Sequence, residues 1–217
     1  MGVASDAVVL VCGDTRWPGA EVTAVAQVPA RPGRDDLSGV LDGLNGHRLV
    51  VCGSDADLAA VLVRLLRTEA LGVPVGYVPV SPSSAVARLW GVPVAPAAAA
   101  AHALHGRPDR VPLVRDDAGG VLAGLGVVAP VHGVAYCDES VVLRGQATRL
   151  TVQPDPRHGL TVRVVGRGLL GRRVRRAEGR AVQLGCSPTH LSCDGVAGRT
   201  TDRWTWYRHT EDWLLVR

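Results

Sequence analysis

The hydrophobic rhythm of the chain changes once, near residue 106, and that change limits the folds open to it more than any other feature. Before it, apolar runs alternate with helix-like segments. Ala7–Cys12 is a continuous apolar run closed by Gly13-Asp14, and Glu21–Val28 is a second one ended by Pro29. Such runs suit strands buried on both faces of a parallel sheet. Asp36–Leu44 reads as a short helix, with Asp35 or Asp36 as N-cap and Gly46 near its end. Arg48–Cys52 is a third strand. Asp57–Glu69 is the best helix, because Leu58, Val61, Leu62, Leu65 and Leu66 recur at spacings of three and four. Val73–Val80 is the next strand, and Ser84–Leu89 is helical again.

Past residue 107 the segments are short, valine-rich and separated by turns. They run Val111–Val114, Val121–Val128, Gly133–Tyr136, Ser140–Leu143, Thr148–Val152 and Leu160–Val165. Ala181–Leu184, Thr189–Cys193, Trp204–Arg208 and Trp213–Val216 continue the series. The expected architecture is an α/β domain over residues 1–105, with a parallel sheet and flanking helices, then an antiparallel β-sandwich-like domain over 106–217. The boundary falls in the Pro/Ala stretch after Gly91 or near Gly106. The low-complexity segment is Ala97–Ala101, read as part of a loop entering a helix.

The 217 residues suffice for one large domain or two small ones with a real core. All 24 basic residues are arginine. Without lysine there is no Walker-type phosphate loop and no Schiff-base chemistry. Charge is uneven: residues 1–106 carry seven Arg against nine Asp/Glu, and residues 107–217 carry seventeen against eleven. A basic second half favours an anionic partner or is simply a solvated face. The five cysteines form no C-x-x-C pair and are read as small buried hydrophobes. No apolar stretch is long enough for a membrane span, and no secretion signal opens the chain, so a cytoplasmic location is expected.

Two strand-to-helix turns carry the functional reading. In Val50-Val51-Cys52-Gly53-Ser54-Asp55-Ala56-Asp57-Leu58-Ala59-Ala60-Val61, a buried strand passes through small residues into a helix. Such a turn either offers backbone N–H groups to an anion or is an ordinary crossover with Asp55 or Asp57 capping the helix. The second turn is Pro79-Val80-Ser81-Pro82-Ser83-Ser84-Ala85-Val86-Ala87-Arg88-Leu89-Trp90-Gly91-Val92-Pro93. Its serines Ser81, Ser83 and Ser84 either bond an anion or, in the case of Ser83 or Ser84, cap a helix. Arg88 either contacts phosphate or pairs with a neighbouring acid.

Together the two blocks resemble the diacylglycerol kinase catalytic domain family, which includes sphingosine kinases and bacterial lipid kinases. In the first motif, roughly V-V-A-G-G-D-G-T-L-N-E-V, Gly53, Asp55, Leu58 and Val61 match in register. Ser54, Ala56, Asp57, Ala59 and Ala60 stand where the family has Gly, Gly, Thr, Asn and Glu. In the second, roughly P-L-G-T-G-N-D-F-A-R-x-L-G-x-P, Pro79, Ala87, Arg88, Gly91 and Pro93 match. Pro154–Val162 is similar to the family's P-x-A-x-x-D-D-G-x-L-D-V segment. Asp194-Gly195 stands where the family has D-G-E, with Val196 in place of Glu. The family's N-P-x-S-G turn after the first strand is replaced by Cys12–Gly19.

The resemblance implies a nucleotide-binding-like first domain and, in an active protein, transfer of phosphate from ATP with Mg²⁺ to a lipid hydroxyl. It marks Gly53, Ser54, Asp55, Ala56, Asp57, Ser81, Ser83, Ser84 and Arg88 as nucleotide-site positions, and Asp194 and Asp55 as catalytic ones; no metal ligand is assigned. Ala56 adds a Cβ where the family has Gly, and Asp57 adds negative charge near the expected phosphates, repulsive unless a metal intervenes. Asp55 with Asp57 either holds Mg²⁺ or divides into a cap and a solvated carboxylate. Asp194 is either a base or half of an Asp-Gly hairpin turn. The expectation is therefore a divergent lipid kinase or a pseudokinase serving as a lipid-binding or regulatory module.

Arg167, Arg172, Arg173, Arg175, Arg176 and Arg180 read as a basic stretch in a glycine-containing loop, suited to a lipid or membrane surface. It lacks interleaved aromatics, so nucleic acid is not an expected partner; a homo-oligomer stays open. Trp204 and Trp206 share one strand face, so at least one of them belongs in the core. The histidines show no metal-ligand spacing.

Overall fold

A computed structural model describes residues 7–19, 22, 24–44, 46–168 and 171–217, without the Arg199 side chain. The chain divides into two units, Met1–Val111 with Asp212–Arg217, and Pro112–Glu211.

In the first unit, β1 (Ala7–Cys12), β2 (Ala24–Val28), β3 (Arg48–Gly53) and β4 (Pro74–Pro79) form a parallel sheet in the order β4-β3-β1-β2. Registers such as Leu10↔Val51 and Val51↔Tyr77 bring the C-terminal ends of β3 and β4 side by side. Leu214 and Leu215, near the chain's end, add a parallel pairing to Pro74 and Val75. The helices are α1 (Arg34–Asp42), α2 (Asp55–Arg67), α3 (Ala85–Trp90) and α4 (Pro96–His105).

The alanine run has a packing reason. Ala99, Ala100 and Ala103 of α4 lie in one core with Val9, Val11, Val50 and Val78. A Cβ on Gly76 would come within 2.6 Å of the Ala103 carbonyl oxygen, so helix and sheet meet where only small residues fit. Arg48 closes this helix by donating to the Ala103 and Gly106 carbonyl oxygens, each at 3.0 Å. α2 buries Leu58, Val61, Leu62 and Leu65 of the expected stripe, while Leu66 is half-buried.

The second unit holds β5 (Pro108–Asp116, beginning in the first unit), β6 (Val121–Leu122), β7 (Gly126–Val128), β8 (Val131–Cys137) and β9 (Ser140–Ala147). It continues with β10 (Arg149–Asp155), β11 (Gly159–Gly168), β12 (Gly171–Gly179), β13 (Ala181–Cys193) and β14 (Val196–Val216, ending in the first unit). β13 is the branch point. Its first part pairs with β8, its last part pairs with β7, and β14 runs along its other edge. One wing then continues as β7-β10-β11-β12 and the other as β8-β9. Inward residues of both wings, among them Leu143, Leu150, Val162 and Leu184, share a core with the fully buried Trp206. Trp204 packs edge-on against Trp206 at 6.2 Å between ring centroids.

The α/β layer followed by antiparallel strands is the expected architecture, with local differences. Arg172–Arg176 lie on β12, a strand paired antiparallel with β11 out to Gly168↔Gly171, rather than in a loop. Thr189–Cys193 and Ala181–Leu184 are one strand, because an irregular register between Gly185 and Thr189 absorbs the intervening residues; Trp204–Arg208 and Trp213–Val216 are likewise one strand. Val121–Val128 is instead broken at Ala123–Leu125, whose amides bond a carboxylate instead of a ladder. The cap of α1 is Gly33, whose N–H donates to the Asp36 carboxylate at 2.7 Å. The second strand starts at Ala24; Ala20, Glu21 and Thr23 lie outside the described residues. Among the described residues no helix is long and apolar enough to cross a membrane.

Candidate functional site

Parallel pairing of β3 with β4 sets the two turns next to each other: Gly53 is paired with Pro79, and the Val80 N–H donates to the Gly53 carbonyl at 3.1 Å. Gly53 is needed for close approach rather than for a left-handed φ. A Cβ there would lie 2.7 Å from Asp57 Oδ2 and 3.0 Å from the Cys12 Cβ.

Ser54, not an aspartate, is the N-cap of α2. Its hydroxyl accepts the Asp57 N–H at 3.3 Å and donates to Asp57 Oδ2 at 2.8 Å, while its N–H donates to the same oxygen at 2.7 Å. This is a capping box with Asp at its third position. The other Asp57 oxygen accepts the Arg31 N–H at 2.6 Å, which ties α2 to the segment before α1. Asp57 is buried with all this hydrogen bonding directed into the protein. Beneath it, burial first and then the Asp57 and Cys52 charges push the Cys12 thiol up to about 12, and burial pushes Cys52 up to about 11. Neither is a nucleophile near neutral pH.

Asp55 turns the other way, toward the second turn. Its Oδ1 accepts from the Tyr77 hydroxyl at 2.8 Å and from the Ser84 hydroxyl, and its Oδ2 accepts from the Ala85 N–H at 2.7 Å and more weakly from Val86 at 3.4 Å. Asp55 and Asp57 thus have separate sets of partners, and their carboxylates do not converge on one position. Ser84 caps α3, accepting the Ala87 N–H at 2.9 Å. Ser81 and Ser83 are paired with each other through their hydroxyls at 2.8 Å, and the Ser83 N–H donates to Ser81 Oγ at 3.2 Å. Ala56 sits half-buried in the first turn of α2. Arg88 is exposed on α3 and forms no ion pair among the described residues.

Together these bonds account for the second turn. Pro82 has no N–H, and every amide from Ser83 to Arg88 donates to an acceptor inside the protein. A phosphate cradle needs the reverse, a nest of amides left free for oxygen. The protein's own Asp55 carboxylate supplies the oxygens here. With a second carboxylate at Asp57 and no lysine in the sequence, the second turn does not offer a triphosphate the amides that the motif implies.

Asp194 belongs to the second unit. It and Gly195 form the β13–β14 hairpin turn, with φ of 51° and 83°. Its buried carboxylate accepts three backbone N–H groups, from Ala123 at 2.8 Å, Gly124 at 2.7 Å and Leu125 at 2.9 Å. A carboxylate tied to three backbone amides holds a loop in place.

Two participants escaped the sequence reading. Tyr77 is buried in β4, and its hydroxyl also lies 3.2 Å from the Gly53 carbonyl oxygen, so it joins strand end, turn and Asp55. Its position two residues before the second motif was the available signal. The Ala123–Leu125 amides carried none, since side-chain types say nothing of a backbone acceptor some 70 residues away.

The sequence matches no described family and no curated protein. Solved structures are informative. A protein provisionally named a diacylglycerol kinase, from Bacillus anthracis str. Sterne, superposes with a TM-score of 0.72 at 11% identity, over 97% of each chain. The fold is that of the diacylglycerol kinases. A second structure of a diacylglycerol kinase from that organism gives 0.68 at 11% identity, over 97% of this chain and 96% of that one. An NAD kinase from Archaeoglobus fulgidus in complex with ATP gives 0.54 at 10% identity, over 97% and 93%. Identity this low leaves the likeness at the level of the diacylglycerol kinase fold, in which the two turns above occupy the ends of β3 and β4.

Proposed function

We propose that this chain is a kinase-fold protein that does not transfer phosphate and serves as a lipid-binding or regulatory interaction module. The observation supporting this most directly is the occupancy of the second turn: Asp55 and Ser84 take the amides of Ala85 to Ala87 that would otherwise face an anion. Phosphoryl transfer depends almost entirely on positioning and charge stabilisation, so a loop that presents carboxylate oxygen instead of N–H works against it. The same reading accounts for Asp57, which replaces a neutral Thr of the motif without disturbing the turn because its charge is absorbed by the capping box and the Arg31 amide. ATP-dependent phosphorylation of a lipid hydroxyl, with Mg²⁺, is the competing function.

Thermal unfolding with and without millimolar ATP and Mg²⁺ separates the two. A ligand at tenfold its Kd stabilises the folded state by about 1.4 kcal/mol, a rise of about 3–6 °C in Tm for a chain of this size. We expect no rise. A rise in that range would show that the chain takes nucleotide, and transfer of labelled phosphate to diacylglycerol in vesicles would return it to the active kinases.

A further inference from the structure

The three-stranded end of the second unit, β10-β11-β12, buries one face and exposes the other. Leu150, Val152, Leu160, Val162 and Val164 point into the core. Strand alternation puts their neighbours on the opposite face. The registers Thr151↔Arg163, Arg149↔Val165, Val165↔Val174, Arg163↔Arg176 and Arg167↔Arg172 then gather five arginines there. All five are exposed. At their centre is the cross-strand pair Val165–Val174, the latter 45% exposed. Arg176 is engaged with Glu178 at 2.9 Å.

We propose that this face docks on a bilayer surface containing anionic phospholipid. The proposal rests on the interaction-module reading and specifies where that module binds. The face combines what such a surface requires: guanidinium groups free to fork onto phosphate oxygens, around an apolar pair able to sit at the headgroup boundary. Edge protection explains only part of it. Charges on the terminal strand β12 would discourage edge-to-edge pairing, but Arg149 stands two strands inward, where no edge needs guarding. Among the described residues the face holds no Phe, Tyr or Trp on which bases could stack, and its imidazole, His158, is held against Asp155 and Glu178, which sets it apart from surfaces that bind single-stranded nucleic acid.

Co-sedimentation of the full chain with vesicles tests this, comparing phosphatidylcholine alone with phosphatidylcholine containing phosphatidylglycerol. The chain should bind the second and not the first, and added salt should release it. Arg163→Gln with Arg172→Gln should lower partitioning about 25-fold, at about fivefold per arginine near an anionic surface. The charge-matched control, Arg34→Gln with Arg110→Gln in the first unit, should retain binding. All four side chains are exposed, and unchanged melting curves will confirm that the variants fold. Equal loss in control and variant, or none in either, would overturn the face while leaving the module reading standing. Failure of the unaltered chain to bind anionic vesicles would overturn lipid docking itself; the phosphate-transfer assay decides the non-catalytic reading separately.

Discussion

Replacing Asp55 with alanine should lower the stability of the first unit by an amount that the hydrogen-bond geometry sets. The carboxylate receives three short bonds, from the Tyr77 and Ser84 hydroxyls and the Ala85 N–H. Bonds to a charged acceptor are worth about 1.5–3 kcal/mol each, but Asp55 is half-exposed, and water takes over part of each one. Tyr77 keeps its bond to the Gly53 carbonyl, and Ser84 still accepts from Ala87. The loss is therefore about 2–3 kcal/mol, or about 4–12 °C in Tm at about 2–4 °C per kcal/mol. Asparagine should do less harm. Its carbonyl can accept from Ala85 while its NH₂ donates to both hydroxyls, provided the Tyr77 proton turns to Gly53, and about 1 kcal/mol of charge assistance is lost. Circular dichroism melts of the two variants, with hydrogen exchange at the Ala85 amide, measure this directly. An alanine variant within about 2 °C of the parent, its Ala85 amide still protected, would refute the reasoning, because the magnitude assumes an engaged carboxylate. Asp55 would then be available to a ligand.

Asp194→Ala should be more damaging, because three amides lose a buried charged acceptor at about 1–3 kcal/mol each, enough to leave the second unit without cooperative unfolding. Asp194→Asn, which tolerates the left-handed backbone, should fold with a lowered Tm; an unchanged Tm would favour the base role over the turn. Asp155 gives a pH test. Burial raises its pKa, but the N–H groups of His158 and Arg157 and the His158 side chain outweigh this and hold it below the ordinary 3.8. A depressed folded pKa stabilises above the unfolded value, and that stabilisation is lost as pH falls through the folded one. The stability difference between the parent and Asp155→Asn should be present at neutral pH and shrink below 3.8; a difference constant down to acid pH would show that the carboxylate's charge is not the cause.

Much of the first unit could be read along the chain. Buried parallel strands require continuous apolar runs, and α2 requires its leucine stripe, so both are local in sequence. The change of rhythm near residue 106 announced the antiparallel half for the same reason. Segment ends were less legible: Thr189 to Cys193 could not be joined to Ala181 to Leu184 without knowing that the paired strand tolerates a register shift. The arginine-rich segment looked like a loop because charge hides a strand's alternation; only pairing with β11 supplies the second face.

The sequence by itself determined that Gly53–Asp57 is a strand-to-helix turn in register with a second such turn, and hence the fold. Whether Asp55 and Asp57 face a ligand or the protein was decided only by tertiary structure. A carboxylate's role depends on which donors lie near it. Ser54 supplies two of the Asp57 donors from within the same turn, but all the others come from β4, the start of α3 and the segment before α1, between 22 and 31 residues away along the chain. Sequence spacing fixes which residues can share a turn. Packing fixes which N–H groups are left over, and at this turn, from Ser83 to Arg88, it leaves none.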